Sequence, residues 1–182
     1  MLRAGEVHVW RVRRERAPEA LRAILGSETS APLEFAVAEK GKPYLPGAPE
    51  VKFNLSRSHE MALIAVALGV EVGVDVERLR PLPEYAAIAE RFFPPSERGV
   101  LDERDFFRRW TRIEAALKAR GVGLYGAGAE LEGPWTVEEI DAGPGYAAAV
   151  AAAGEGITVV VHDFGNGAAF LAGTPRNMVD CR

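Results

Sequence analysis

Four charged side chains are spaced so that two separate stretches could share one chemical task. Asp75 and Glu77 stand two apart in Gly73-Val74-Asp75-Val76-Glu77. On a strand, that spacing turns both carboxylates to one face and Val74 and Val76 to the other. Like charges on one face repel unless a cation or an active site uses them. Spacing alone leaves two readings, a solvated strand face or a site. Glu114 and Lys118 stand four apart, which lines them up along a helix. Taken alone they could be a surface ion pair worth about 0.3–0.5 kcal/mol. Packing that helix against the strand would bring Asp75, Glu77 and Glu114 together. Three oxygen ligands with open positions suit Mg²⁺, which keeps waters and takes phosphate oxygens as its remaining ligands. Lys118, one turn beyond Glu114, would reach the same place. Lys40, Lys42, Arg57 and His59 are further candidates for binding phosphate. Acidic ligands with scattered Lys and Arg suit a polyphosphate substrate better than any other simple class.

The elements that must position these groups follow from periodicity and punctuation. The clearest is a helix from Glu103 to Arg120. Asp102 is its N-cap, and Asp105, three residues on, approximates a capping box. Gly121 ends it. Phe106, Trp110, Ile113 and Leu117 repeat at four, three and four residues and form the buried stripe, with Glu114 and Lys118 along its edge. Met61 to Leu68 is almost wholly apolar and suits a buried strand. Across the Gly69 to Glu71 turn it predicts a hairpin with Val72 to Glu77. Upstream, Glu6 to Val12 reads as a strand, Pro18 to Gly26 as a short helix, and Leu33 to Ala38 as a strand with Phe35 and Val37 on one side. Lys40 to Tyr44 is a turn. Val51 to Leu55 is a strand whose apolar pattern breaks at Ser56-Arg57-Ser58-His59. Downstream, Pro83 to Phe93 predicts a helix stopped by Pro94-Pro95, followed by a short one from Ser96 to Leu101. A Gly-rich loop from Gly121 to Gly133 leads to three strands, Trp135 to Ile140, Tyr146 to Ala153 and Ile157 to Phe164, and a tail from Gly173.

Composition narrows the class. With 48% hydrophobic and 26% charged residues, the chain can bury a real core. A net charge of -4 gives no global pull toward nucleic acid or anionic membrane. With no continuous basic stripe, this counts against a metal-dependent nuclease, the other enzyme class that carboxylates plus lysine would suit. No 18-residue apolar run predicts a membrane span, and no apolar core of a signal peptide stands at the start. The single cysteine, Cys181, cannot form an internal disulfide. The expected location is cytoplasmic.

The pattern of motifs resembles the 4'-phosphopantetheinyl transferase superfamily. Gly41-Lys42-Pro43 looks like the family's Gly-Lys-Pro segment, and Phe53-Asn54-Leu55-Ser56-Arg57-Ser58 is similar to its Phe-Asn-Leu-Ser-His-Ser segment. Val72 to Glu77 resembles its Gly-Val/Ile-Asp-Val/Ile-Glu motif. Phe92-Phe93, Phe107 and Trp110 to Lys118 look like its Phe-Phe … Trp-x-x-Lys-Glu-x-x-x-Lys motif. The tail with Trp135, Tyr146 and Ala149 is also similar. Any one motif is weak; all four in order across positions 41–118 are specific.

The resemblance implies an α+β fold of two similar α/β lobes related by a pseudo-twofold. The N-terminal lobe would span residues 1–70 and the C-terminal lobe, with the metal ligands, 71–182. It implies transfer of the 4'-phosphopantetheine arm of coenzyme A to a serine of an apo acyl or peptidyl carrier protein, with Mg²⁺, releasing 3',5'-ADP. Asp75, Glu77 and Glu114 would hold the metal. Asp75, Glu114 and Lys118 would carry catalysis, with Glu114 taking the serine proton directly or through water. Lys42, Ser56, Arg57, His59 and Lys118 would bind coenzyme A. A monomer is expected, with the arginines at 11–16 and 104–112 as docking patches for an acidic carrier. Three departures accompany the match. Arg57 stands where the family has histidine, Ile113 where a lysine usually precedes the glutamate, and the stretch between the first strand and Gly41 is short for a two-lobed member. These departures keep a second reading open, a relative that binds coenzyme A or a carrier protein without efficient transfer.

Overall fold

The computed structural model describes residues 2–100, 102–122 and 133–165. Most of the Gly-rich loop, Leu101, the tail from Gly173 and Cys181 lie outside the described residues. Two sheets carry the architecture. The first has strand order β4-β5-β1-β9, built from β1 (Glu6–Arg13), β4 (Val51–Ser58), β5 (Met61–Leu68) and β9 (Thr158–Asp163). The second has order β6-β8-β7, built from β6 (Val72–Arg78), β7 (Trp135–Glu139) and β8 (Tyr146–Ala153). A small ladder joins β2 (Ala36–Val37) to β3 (Pro43–Tyr44). The helices are α1 (Ala17–Glu28), α2 (Tyr85–Phe92) and α3 (Glu103–Arg120).

The layers follow from which faces are apolar. Helix α1 begins with Pro18 in its first turn and buries Ala20, Ile24 and Leu25 on one face of the first sheet, against Phe53, Ile64 and Val66. The opposite face presents Val7, Val9, Leu63 and Ala65 to Val72, Val74, Val76 and Val150 of the second sheet. The outer face of the second sheet carries α3. The result is two lobes, each a sheet with its helix, packed sheet on sheet in an α+β fold. The chain passes from the first sheet to the second across Gly69–Glu71 and returns to the first with β9, which pairs in parallel with β1. No described helix is long and apolar enough to cross a membrane.

The expected hairpin between Met61–Leu68 and Val72–Glu77 does not form. Strand β5 pairs with β4 and β1, while β6 pairs with β8. Every residue of β5 from Met61 to Ala67 is buried, so it needs cover on both faces and takes a central place. Strand β6 is apolar on one face only, so it stacks that face on β5 instead of joining its ladder. The hairpin lies one strand earlier, where His59, at φ 53, and Glu60 close β4 onto β5. Strand β4 therefore runs on through Ser58, past the point where its apolar pattern stops. The strand expected at 33–38 shrinks to Ala36–Val37, with Val37 exposed. The short helix expected from Ser96 is a single 3₁₀ turn, Pro95–Glu97.

Helix α3 forms as its signals predict. Asp102 accepts from the Asp105 amide at 2.8 Å, and Gly121 closes the helix in the left-handed region. Its seat on the second sheet is made of small residues: Ala115, Ala116 and Ala119 meet Ala149 and Ala151. At Gly73 the approach is closest. A Cβ there would lie 3.0 Å from the Ala119 Cα and nearer still to the Ala115 carbonyl oxygen and the Ala119 nitrogen. Only glycine lets the helix backbone come this close, and this contact sets how near Glu114 and Lys118 come to β6.

Candidate functional site

The pleat of β6 buries Val74 and Val76 between the sheets and turns Asp75 and Glu77 toward α3, which brings Glu114 and Lys118. Together with Leu55, Ser56, Arg57 and Trp110 they line one open cleft of about 440 Å³, within the range of small-ligand sites. Trp110 is held as a wall by stacking on Phe106 at 5.7 Å and by an edge contact with Phe92 at 6.4 Å. Ile113 stays on the apolar side with this aromatic cluster.

The electrostatics of the cleft are uneven. The Lys118 ammonium donates to Asp75 Oδ1 at 2.6 Å, to Ser56 Oγ at 3.1 Å and to the Val74 carbonyl at 3.4 Å. Asp75 Oδ1 also accepts from the Ser56 hydroxyl at 2.8 Å. Asp75 Oδ2 is buried without a hydrogen-bond partner among the described residues. Burial pushes the Asp75 carboxyl above the ordinary carboxylate range, opposed by the Lys118 charge and the hydrogen bonds from Lys118 and Ser56. Glu77 accepts from the Ser58 hydroxyl and from Arg80 Nη1, both at 3.1 Å. Glu114 is half-buried and has no hydrogen bond or ion pair among the described residues. Burial, then the Asp75 charge, raise its pKa; Lys118 opposes them.

The cleft therefore brings together Asp75, Glu77, Glu114, Lys118, Ser56 and Arg57. Arg57 is exposed and has no partner among the described residues. Lys42 and His59 stand apart. The Lys42 ammonium donates to Glu71 Oε2 at 2.6 Å, Ala119 O at 2.8 Å and Val72 O at 3.1 Å. All three of its protons are engaged, and it ties the β2–β3 turn to the last turn of α3 through Ala119 O and to the start of β6 through Val72 O. His59 occupies the β4–β5 turn, with Nε2 3.0 Å from Arg78 Nη1. The two arginine runs are partly neutralised, Arg11 by Asp163, Arg16 by Glu19, Arg108 by Glu139 and Arg109 by Asp105.

Residues that pattern reading missed include Asn54, Ser58 and Arg80. Asn54 Oδ1 accepts from Val74 N at 3.0 Å, Ser56 Oγ from Val76 N at 3.4 Å and Ser58 Oγ from Arg78 N at 3.0 Å. The signal was present, since polar residues at 54, 56 and 58 keep period two along β4. Among the described residues no three His, Cys, Asp or Glu side chains form a ready metal cage. The donor set nevertheless fits a hard divalent cation in type: carboxylate oxygens, one of them buried and unpartnered.

A model of the 4'-phosphopantetheinyl transferase superfamily matches residues 71–162, the segment that contains Asp75, Glu77, Glu114 and Lys118. The chain belongs to this superfamily. The transferase HetI of Nostoc sp. is 39% identical over 117 residues, which cover 57% of this chain and 49% of that relative. A 4'-phosphopantetheinyl transferase of Bacillus subtilis is 35% identical over 101 residues, covering 52% and 44%. AcpT of Salmonella typhi is 34% identical over 106 residues, covering 54% and 55%. This superfamily chain thus spans about half the length of the curated relatives it matches.

Proposed function

We propose that this protein transfers the 4'-phosphopantetheine arm of coenzyme A to a serine of an apo acyl or peptidyl carrier protein, with Mg²⁺, releasing 3',5'-ADP. The observation that carries the proposal is the conjunction in one cleft of Lys118 with Asp75, Glu114 and Arg57, where one buried Asp75 oxygen, Glu114 and Arg57 are all without a partner among the described residues. Asp75, Glu77 and Glu114 would hold Mg²⁺. That such a site lacks a closed protein cage fits a cation that takes substrate phosphates and water as its other ligands. When bound, Mg²⁺ neutralises charge that builds on the pyrophosphate.

The carrier serine oxygen forms a bond to the β-phosphorus as the pyrophosphate bridge breaks, and the electron pair leaves on 3',5'-ADP. Lys118 stabilises the charge on that leaving group. Glu114 accepts the serine proton, directly or through a water. A carboxylate with a raised pKa is a better base near neutral pH than an ordinary one. Arg57, in the family's histidine position, offers a fork of donors to a coenzyme A phosphate and never deprotonates. Ser56, Lys42 and His59 complete the expected coenzyme A set; all three make hydrogen bonds inside the protein, so each would act on the ligand through its neighbours. The reading includes a cytoplasmic monomer that recruits its carrier through exposed arginines.

The second reading is a relative that binds coenzyme A or a carrier without efficient transfer. It is favoured by Ile113, which sits in the apolar cluster where the family carries a lysine. One experiment separates them. The purified protein is incubated with coenzyme A, Mg²⁺ and an apo carrier, and the carrier is weighed by mass spectrometry. A gain equal to the phosphopantetheine arm supports transfer. Coenzyme A binding with no gain on any of several carriers supports the second reading and sinks the first.

A further inference from the structure

The two sheets meet edge to edge at β4 and β6 without a backbone ladder between them. In place of ladder carbonyls, three β4 side chains at period two, Asn54, Ser56 and Ser58, accept from three β6 amides at period two, Val74, Val76 and Arg78. Each serine has one proton left to donate. Ser56 gives it to Asp75 Oδ1 at 2.8 Å and Ser58 to Glu77 Oε2 at 3.1 Å. The unit repeats: a hydroxyl on β4 accepts from the amide of one β6 residue and donates to the carboxylate of the residue before it. At the third rung, Asn54, the corresponding β6 residue is Gly73, which has no side chain to orient.

We infer that Ser56 and Ser58 are positioning residues: each hydroxyl holds one oxygen of a cleft carboxylate and so aims the other at the cation, while the same hydroxyl locks the lobes in register. For Asp75 the oxygen left over is the buried, unpartnered Oδ2. The inference rests on the metal role proposed above for Asp75 and Glu77. It follows that lobe register and carboxylate orientation are set by the same two atoms, so a slip of β4 along β6 would misaim both ligands at once.

Asn54 makes the test possible, because it shares the lobe contact but touches no carboxylate. Mn²⁺ binding to the full chain with coenzyme A present is read by EPR of the free ion, and stability by urea unfolding. Ser58→Ala is expected to weaken Mn²⁺ binding about tenfold, the low end for a group that orients a metal ligand. Ser58→Thr keeps the hydroxyl on a strand-compatible side chain and is expected to restore binding. Asn54→Ala is expected to lower the urea midpoint with Mn²⁺ binding unchanged. A Ser58→Ala protein that loses stability yet binds Mn²⁺ like the wild type overturns the inference alone. A wild-type protein that binds no Mn²⁺ overturns the metal reading and the inference with it. Should Asn54→Ala fail to fold, the Ser58→Ala and Ser58→Thr pair still decides, since an unrescued loss also overturns the role.

Discussion

Replacing Gly73 by alanine tests the close backbone approach of α3 to β6. The backbone at Gly73 is not in the left-handed region, so alanine is conformationally allowed. Through the unfolded chain alone it would stabilise by about 0.4–1 kcal/mol. Packing reverses the sign. The added Cβ would stand 3.0 Å from the Ala119 Cα and closer to two backbone atoms of α3, none of which can rotate away. Restoring carbon contacts of roughly 3.5–4.0 Å moves the helix outward by about 1 Å. A gap of that size forfeits a quarter to a half of each dispersion contact in the alanine seat. Overpacking of this kind costs about 1–3 kcal/mol; less the unfolded-chain gain, we expect a net loss of about 1–2 kcal/mol, or roughly 2–8 °C in Tm for a chain of this size. The same movement stretches the 2.6 Å bond from Lys118 to Asp75, and a 1 Å misplacement costs on the order of 100-fold in rate. Calorimetry and the carrier mass assay read the two effects. A Gly73→Ala protein with wild-type or higher Tm would refute the argument that helix backbone, rather than side chains, limits the approach of α3.

Four further outcomes are expected. Asp75→Asn removes the carboxylate that faces Lys118 and is expected to abolish transfer; retained transfer at unchanged metal dependence would exclude its role as a ligand. Glu114→Gln should lower kcat by about 10²–10⁴, the usual contribution of a positioned base, with Mn²⁺ binding measured alongside to separate loss of the base from loss of a ligand. Lys42→Met leaves Glu71 with Lys52 as its remaining cation and strips two carbonyls of their donor; it should cost about 2 kcal/mol and weaken calorimetric coenzyme A binding by less than about tenfold, since the ammonium reaches the ligand only through its neighbours. A tenfold weaker ligand would instead place the ammonium in the ligand site. His162 holds β9 to β1, packed on Trp10 and bonded to His8, with Glu6 and Asp163 nearby. Burial, then the His8 charge, lower its pKa. A base depressed in the folded state binds fewer protons than the unfolded chain, so its stability is present above about pH 6.5 and lost as pH falls below it. Amide exchange in β9, corrected for the intrinsic rate, should quicken between pH 7 and 5.5, and constant protection across that range would count against the assignment.

What the sequence determined by itself was local. The two-residue period of β6 dictates that Asp75 and Glu77 share a face opposite Val74 and Val76, because side chains alternate across any strand. Asp102, the Phe106–Leu117 stripe and Gly121 define α3, and with it the four-residue line of Glu114 and Lys118, because caps and helical period are properties of neighbouring residues. The core of the candidate site was legible for that reason.

Tertiary structure decided which surfaces meet. Strand β5 rejects its neighbour β6 as a ladder partner because it must be covered on both faces, a demand met by α1 before it in sequence and by the second sheet after it. Strand β9 returns to β1 across the second lobe. Lys42 reads as a free ammonium in a turn until Glu71 and the end of α3 arrive to take its protons. The polar residues of β4 look like the end of a strand until the bare amides of β6 lie opposite them. Each outcome is a competition for burial and for hydrogen-bond partners among segments far apart in the chain, and periodicity within one segment carries no information about which of them wins.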